Sequence, residues 1–277
     1  MAEVIVVPGG RGQLGSDLAA ASPEVRALSS AELDVTDPAA VAEAVVAADA
    51  VINCAAYTAV DAAETDEDRA FQVNAVGPGL LAAACAERGV PFVHVSTDYV
   101  FAGDANRPYE PTDPTGPKTA YGRTKLAGEE RVLAAGGWVV RTAWVYGATG
   151  NNFVKTMARL ESERDTVSVV DDQRGSPTWS ADLAAGLLQL LEIRPAQRLL
   201  HATGGGDTTW FGFTRAIFEE LGADPARVLP CTTADFPRPA PRPAYSVLSG
   251  KAWADAGLTP LPAWRDALAR FARLHLR

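Results

Sequence analysis

The beginning of the chain constrains its fold more than any other segment. A strand-like run, Glu3-Val4-Ile5-Val6-Val7, meets a glycine-rich turn, Gly9-Gly10-Arg11-Gly12-Gln13-Leu14-Gly15, and a helix-forming stretch follows at once. Gly9, Gly12 and Gly15 are spaced G-x-x-G-x-x-G. Glycine permits a tight turn and a close backbone approach, and a helix N-terminus offers free N–H groups and a positive dipole end to a pyrophosphate. The chain has 24 glycines, so this spacing alone carries little weight. Its position between a strand and a helix points to dinucleotide binding, against a glycine turn that holds nothing.

The first half continues the alternation. Strands are expected near Val4–Val7, Val25–Leu28, Ala50–Asn53, Phe92–Ser96 and Trp138–Thr142, with helices over Gln13–Ala21, Pro38–Ala48, Phe71–Arg88 and Thr119–Ala134. Asp37 before Pro38 is a good N-cap followed by proline at the first helical position. Strands alternating with helices predict an α/β fold, a Rossmann-type doubly wound parallel sheet. After Thr142 the rhythm fades, which predicts a smaller C-terminal α/β substrate-binding portion. The expected division is residues 1–150 for the dinucleotide-binding domain, joined by part of 180–200 through a helix at Ala181–Leu191, and 151–277 for the rest. Ligands of open α/β sheets lie beyond the carboxyl ends of the strands, so the loops after Val7, Asn53, Ser96 and Thr142 should line one cleft.

Composition narrows the function. A length of 277 residues with 47% apolar content can bury a full core. The apolar run from Val41 to Ile52 is interrupted by acids and is far shorter than the ~20 residues that span a bilayer. No membrane association is expected, and the start lacks the marks of a secretory signal. Cys54, Cys85 and Cys231 are odd in number and widely spaced, which suggests neither a disulfide framework nor a zinc site and fits a reducing, cytoplasmic setting. A net charge of −9 argues against nucleic-acid binding. The acidic run Asp61, Glu64, Asp66, Glu67 and Asp68 reads as a solvated helix entry, and no metal site is expected. His94 reads as a satisfied core residue on the fourth strand. His201 and His275 have no partner pattern, which disfavours a histidine-based hydrolytic triad.

Tyr121 and Lys125 form Y-x-x-x-K, which on a helix places both on one face. Thr97, at the end of the fourth strand, brings a hydroxyl to the same cleft. Reduction of a ketone needs a hydride on carbon and a proton on oxygen, and a free phenol with a pKa of about 10 is a weak proton donor. An ammonium ~4 Å away at an effective dielectric of ~20 favours phenolate by up to about 4 kcal/mol, or ~3 pK units. The expectation is that Tyr121 donates the proton, Lys125 tunes it and anchors the nicotinamide ribose, and Thr97 hydrogen-bonds the carbonyl. The plain alternative is an aromatic and a lysine on a surface helix. The second strand ends in Leu28-Ser29-Ser30, where many NAD enzymes carry an acid for the ribose diol. The small hydroxyls leave room for a 2′-phosphate that Arg11 can pair with, so NADPH is expected, with NADH as the alternative.

Several segments together resemble one family, the dTDP-4-dehydrorhamnose reductases of the extended short-chain dehydrogenase/reductase class. They are Gly12-Gln13-Leu14-Gly15, Asn53-Cys54-Ala55-Ala56-Tyr57-Thr58-Ala59-Val60-Asp61, Ser96-Thr97-Asp98-Tyr99-Val100-Phe101, Tyr121-Gly122-Arg123-Thr124-Lys125-Leu126-Ala127-Gly128-Glu129, Arg141-Thr142-Ala143-Trp144-Val145-Tyr146, Asn151-Asn152-Phe153-Val154-Lys155-Thr156-Met157 and Asp172-Gln173-Arg174-Gly175-Ser176-Pro177-Thr178. Arg242-Pro243 with Ser246 and Leu248 extends the likeness nearly to the end of the chain. The resemblance implies that Gly12, Gln13 and Leu14 meet the cofactor phosphates, and that Asp34 and Val35 meet the adenine. Ala55, Ala56 and Tyr57 would lie beside the cofactor's ribose and phosphate, and Val95 would flank the nicotinamide. It places Thr97 and Asp98 on the sugar and Trp144 over it. The implied reaction is reduction of the C4 ketone of a dTDP-linked 6-deoxy-4-keto-hexose. Its diphosphate needs cationic partners, for which Lys155, Arg174 and Arg242 are the candidates. The chain departs from the pattern at Tyr57, where a histidine often stands, and at Pro8, which puts cofactor preference in doubt. The sequence is equally compatible with a monomer and a homodimer.

Two other readings share the fold. Dehydratases of this superfamily carry Thr-Asp-Glu where this chain has Thr97-Asp98-Tyr99, and epimerases usually run longer. A cofactor-binding regulatory subunit, like the beta subunit of methionine adenosyltransferase, would not need Thr97, Tyr121 and Lys125 together.

Overall fold

The computed structural model describes residues 4–276, so Glu3, the first residue of the expected opening strand, lies outside the described residues. Six parallel strands form the central sheet: β1 (Ile5–Pro8), β2 (Val25–Leu28), β3 (Ala50–Asn53), β4 (Phe92–Thr97), β5 (Trp138–Thr142) and β6 (Leu199–His201). Their order is β6-β5-β4-β3-β1-β2. The chain steps from β1 outward to β2 and then back past β1 to β3, so the switch point of the sheet falls between β1 and β3. In open α/β sheets the ligand crevice lies at such a point, beyond the carboxyl ends of the strands.

Alternation along the strands divides the core into two layers. Ile5 and Val7 of β1, Ile52 of β3 and Val140 of β5 face one side, where they meet Leu14 and Leu18 of helix α1 (Gln13–Ala21) and Leu183, Leu187 and Leu190 of the helix Ser180–Ile193. Val6, Val51 and Val139, one residue out of step, face the other side. There they meet Val41 and Val45 of α2 (Pro38–Val46), Leu81 and Cys85 of α3 (Gly77–Arg88) and Val132 of α4 (Ala120–Ala134). Both faces are therefore covered, as an all-parallel sheet requires. Asp37 caps α2 as expected, accepting from the N–H of Ala39 at 2.8 Å.

One expected helix is interrupted. The run Phe71–Arg88 is not a single α-helix: Glu67–Phe71 is followed by a π-helical turn, Gln72–Val76, before α3 begins. The wider turn aims Asn74 inward, where its amide accepts from Tyr57 N–H at 2.8 Å and donates to Tyr57 carbonyl and Thr124 hydroxyl, each at 3.1 Å. π-turns of this kind often mark functional sites.

Beyond β5 the chain forms small strand pairs. Val145–Tyr146 runs parallel to Thr178–Trp179, Val167–Val170 parallel to Val228–Cys231, and Arg174–Gly175 antiparallel to Thr208–Thr209. Helices α5 (Phe153–Glu163), α6 (Ser180–Ile193), α7 (Trp210–Glu220) and α8 (Trp264–His275) complete the chain. A separate apolar cluster, with Tyr146, Val154, Phe213, Phe218 and Phe271 at its centre, holds this part together. No described helix is long and apolar enough to cross a membrane.

Candidate active site

A cleft of about 1380 Å³ opens across the carboxyl ends of the strands. That exceeds the ~300–1,000 Å³ of most single-ligand pockets, so it has space for two partners. At one end lies the glycine turn. Gly9 has φ of 79°, and a Cβ there would stand 2.6 Å from the Ala55 nitrogen. A Cβ on Gly15 would stand 2.6 Å from Gly10 Cα. Both positions require glycine because α1 and the loop after β3 close tightly on the turn. Gly12 caps α1 with no side-chain acceptor, so the first-turn N–H groups are left for a ligand. An uncapped helix start beside a bare glycine cradle fits a dinucleotide pyrophosphate.

Gly9, Arg11, Gly12, Gln13, Leu14 and Gly15 all line the cleft, as do Asp34, Val35, Ala55, Ala56 and Val95. Tyr57 does not line it; its ring packs with Ala63, Ala70, Ala120 and Tyr121 behind the wall, and its backbone is held by Asn74. Asp34 accepts from the N–H and hydroxyl of Thr36 at 2.9 and 2.7 Å, and these bonds hold its carboxyl below the usual range. Ser29 and Ser30 also face the cleft. The Glu32 carboxylate accepts from Ser29 N–H and hydroxyl at 2.9 and 2.6 Å, with the charge of Arg11 acting on it. An acid just past the strand end thus holds Ser29, which the strand-end pattern did not reveal.

The expected catalytic groups converge in the middle of the cleft. Thr97, Tyr121 and Lys125 all line it. Thr119 caps α4 by accepting from Gly122 N–H at 3.0 Å, which fixes the first turn that carries Tyr121. Gly122 has no space for a side chain, since a Cβ would overlap the Tyr99 carbonyl. The Tyr99 ring meets the Tyr121 ring edge-on, with centroids 5.5 Å apart. Burial pushes the Tyr121 phenol up to about 12, partly offset by its hydrogen bond with Thr97.

The expectation that Lys125 brings this phenol close to working pH is therefore not met in this geometry. The amine is engaged elsewhere: it donates to Val95 carbonyl at 2.7 Å and lies 3.1 Å from Nε2 of His94. Burial lowers Lys125 to about 8. His94 is satisfied, as expected of a core residue, but its partners are Asn53 and the lysine of the cleft.

Asp98 lines the cleft and is fully enclosed, and burial raises its carboxyl to about 6. Its Oδ1 accepts from the Thr97 hydroxyl at 3.0 Å, and a hydrogen bond from Ser246 also works against the rise. Trp144, at the mouth, adopts φ of 49°, a strained conformation for a bulky residue. Its ring stacks on Trp210 with centroids 3.5 Å apart and planes 5° from parallel. Gly175 lies against the Trp144 ring so closely that a Cβ would overlap it.

The three basic candidates separate. Arg242 lines the cleft, held by Asp61 at 2.8 Å. Lys155 instead donates to the Ala148 and Gly150 carbonyls, closing the loop before α5, and does not line the cleft. Arg174 pairs with Asp207 on the exposed surface and does not line it either. The acidic run also differs from a solvated helix entry. Asp61 pins Arg242, Glu64 accepts from Ala120 N–H at 2.8 Å at the start of α4, and Glu67 grips Arg123 at 2.9 and 2.7 Å. Three of these carboxylates are therefore cross-links between distant segments.

Other site residues had no role assigned from the sequence. Glu129, one turn beyond Lys125, is buried with Arg141 at 2.6 Å and accepts from Ser96 hydroxyl at 2.5 Å. Trp210 and Arg238 line the cleft from segments with no motif. The Y-x-x-x-K helix extended by one turn would have pointed to Glu129; nothing in the sequence pairs it with Arg141.

The profile of the RmlD substrate binding domain family matches residues 3–276. A dTDP-4-dehydrorhamnose reductase of Mycobacterium tuberculosis is 55% identical, over 96% of this chain and 91% of the relative. A probable dTDP-4,6-dihydroxy-2-methyloxan-3-one 4-ketoreductase of Streptomyces antibioticus is 48% identical, over 95% and 92%. The crystal structure of a dTDP-4-dehydrorhamnose reductase from Bacillus anthracis in complex with NADP superposes with a TM-score of 0.94 at 37% identity, covering 99% of this chain and 100% of that one. With sequence, fold and cleft in agreement over its whole described length, the chain belongs to the dTDP-4-dehydrorhamnose reductase family.

Proposed function

We propose that this chain reduces the C4 ketone of a dTDP-linked 6-deoxy-4-keto-hexose, dTDP-4-dehydrorhamnose, to the alcohol of dTDP-rhamnose, using NADPH or NADH. The observation that carries the reading is the convergence of Thr97, Tyr121 and Lys125 in one cleft with the glycine cradle. The nicotinamide cofactor supplies the hydride. Gly12, Gln13 and Leu14 offer backbone donors to its pyrophosphate, while Asp34 and Val35 border the adenine, and Ala55, Ala56 and Val95 form the wall between.

Tyr121 gives its phenolic proton to the carbonyl oxygen as negative charge develops there. A phenol held near 12 stays protonated at neutral pH, ready to donate. Thr97 hydrogen-bonds the same oxygen, and the Lys125 ammonium, held by the Val95 carbonyl, would anchor the nicotinamide ribose with a remaining hydrogen. Asp98 meets the sugar beside Thr97, Trp144 covers the sugar's apolar face, and Arg242 faces the diphosphate. Tyr99 stands where a dehydratase needs a carboxylic acid, and burial raises its phenol above the ordinary value, so it has no acid to assist loss of water. We place the reaction in the cytoplasm, in keeping with three widely spaced cysteines that suggest no disulfide framework.

A panel of dTDP-4-keto-6-deoxyhexoses assayed with NADPH and NADH, with product stereochemistry read by NMR, tests the proposal. Stoichiometric cofactor oxidation with formation of the rhamnose product supports it. Preference for another keto-sugar would move the chain toward the Streptomyces 4-ketoreductase, and cofactor binding with no oxidation by any sugar would reject the enzymatic reading.

A further inference from the structure

Behind the cleft a buried chain of polar groups runs from β3 through β4 to α4. Asn53, His94 and Lys125 are each essentially inaccessible to solvent, so their protons must be shared among themselves. Ala55 N–H donates to Asn53 Oδ1 at 3.0 Å. A backbone N–H can only donate, so this bond fixes which end of the amide is oxygen and which is nitrogen. Asn53 Nδ2 therefore lies against His94 Nδ1 at 3.1 Å, and Nδ1 must accept. A neutral imidazole that accepts at Nδ1 carries its proton on Nε2. Nε2 lies 3.1 Å from Lys125 Nζ, which also donates to the Val95 carbonyl.

We propose that Asn53 locks His94 as its Nε2–H tautomer, and that this N–H, aimed at the Lys125 amine, makes His94 a positioning residue that sets when Lys125 loses its proton. The inference rests on the proposed role of Lys125 in the reductase site. A neutral amine accepts the His94 proton on its lone pair, bonds Val95 with one hydrogen and keeps the other for the cleft. An ammonium has no lone pair and faces the imidazole N–H with like polarity. The chain thus favours the amine and makes the ammonium a stronger acid.

The surroundings agree. His94 itself stays neutral, because burial and the Lys125 charge hold it well below its ordinary value. Glu129 on α4 favours the ammonium but is neutralised by Arg141 at 2.6 Å. Cys54 after β3 is a thiol pushed up to about 12 by burial, and Tyr121, one turn earlier on α4, is an uncharged phenol. His94 and the Val95 carbonyl are the remaining polar partners of the amine, and burial lowers Lys125 to about 8, below the ~10.4 of a free lysine. Reduction, which uses the ammonium, should fail above that pH.

Two measurements test this. In protein labelled with ring-15N histidine, long-range 1H–15N spectra should show His94 with Nε2 protonated and Nδ1 bare from pH 6 to 9; an Nδ1–H tautomer or an imidazolium overturns the proposal. This readout needs no turnover, so it stands apart from the substrate assignment. Asn53→Asp offers Nδ1 an acceptor, reverses the tautomer and turns Nε2 into an acceptor for the ammonium. The alkaline limb of kcat/KM for keto-sugar reduction should then move up by about one pH unit. His94→Gln, which can turn its carbonyl to Asn53 and its amide N–H to Lys125, should hold the limb near pH 8. A reversed tautomer with an unmoved limb overturns the proposal. With only four lysines in the chain, 13C labelling also follows Lys125 directly, assigned through Lys125→Met. A Lys125 titration at the ordinary lysine value would likewise overturn it, whatever the enzyme reduces.

Discussion

The two walls of the cleft are built by different means. On the cofactor side the shape comes from backbone: Gly9 and Gly15 let α1 and the β3 loop close to contact, and the donors are the N–H groups of an uncapped helix. On the sugar side the shape comes from side chains joined over long stretches of sequence. Arg242 is held by Asp61, Trp144 lies flat on Trp210, and Gly175 leaves space for the Trp144 ring. A backbone-built surface tolerates almost no substitution where atoms are in contact, yet it is indifferent to most neighbouring side chains. A wall made of side-chain pairs can be retuned one pair at a time.

Substitutions can break that comparison. The largest effect is expected where one atom does the chemistry: Tyr121→Phe should lower kcat by about 10²–10⁴-fold, with the fold intact by circular dichroism. Retention of turnover within tenfold would remove Tyr121 from its role. Gly15→Val comes next, because its side chain must intrude on Gly10; NADPH affinity by fluorescence titration should fall by about a hundredfold or more, and unchanged affinity would show that the backbone wall is softer than its contacts indicate.

On the other wall, Arg242→Ala removes the charge proposed to face the diphosphate. KM for the sugar nucleotide should rise by about tenfold with kcat within a factor of a few, which separates binding from chemistry. A fall in kcat alone would place Arg242 with the catalytic groups. The smallest effects belong to the basic residues that the structure sets outside the cleft. Arg174→Ala and Lys155→Ala should each change kcat/KM by less than about twofold, since an exposed ion pair and a loop closure contribute little to transition-state binding. A large loss in either would mean that the mouth closes further over its substrate.

The same division explains what could be read from the sequence. Four strands were legible because buried parallel strands are short runs rich in β-branched residues, the edge strand β2 from its place in the alternation, and β2, β3 and β5 fall on the expected residues. The glycine turn was legible because backbone contact leaves a trace in composition at fixed offsets. Tyr121 and Lys125 share one helix, so their relation is local. Asp61 and Arg242 meet across 181 residues, and no periodicity records such a partner. Likewise Lys155 and Arg174 were plausible cations until the Gly150 carbonyl and Asp207 were seen to occupy them. The π-turn at Gln72–Val76 escaped because its apolar spacing differs little from that of an α-helix.

The Asp61–Arg242 pair also bears on the order in which the molecule comes into being. A ribosome finishes the six strands well before it releases Arg242, so a nascent chain can assemble its nucleotide cradle while the sugar entrance still lacks one jamb. Any product of early termination in between would hold the glycine cradle and Thr97, Tyr121 and Lys125, yet lack the arginine that Asp61 fixes at the rim.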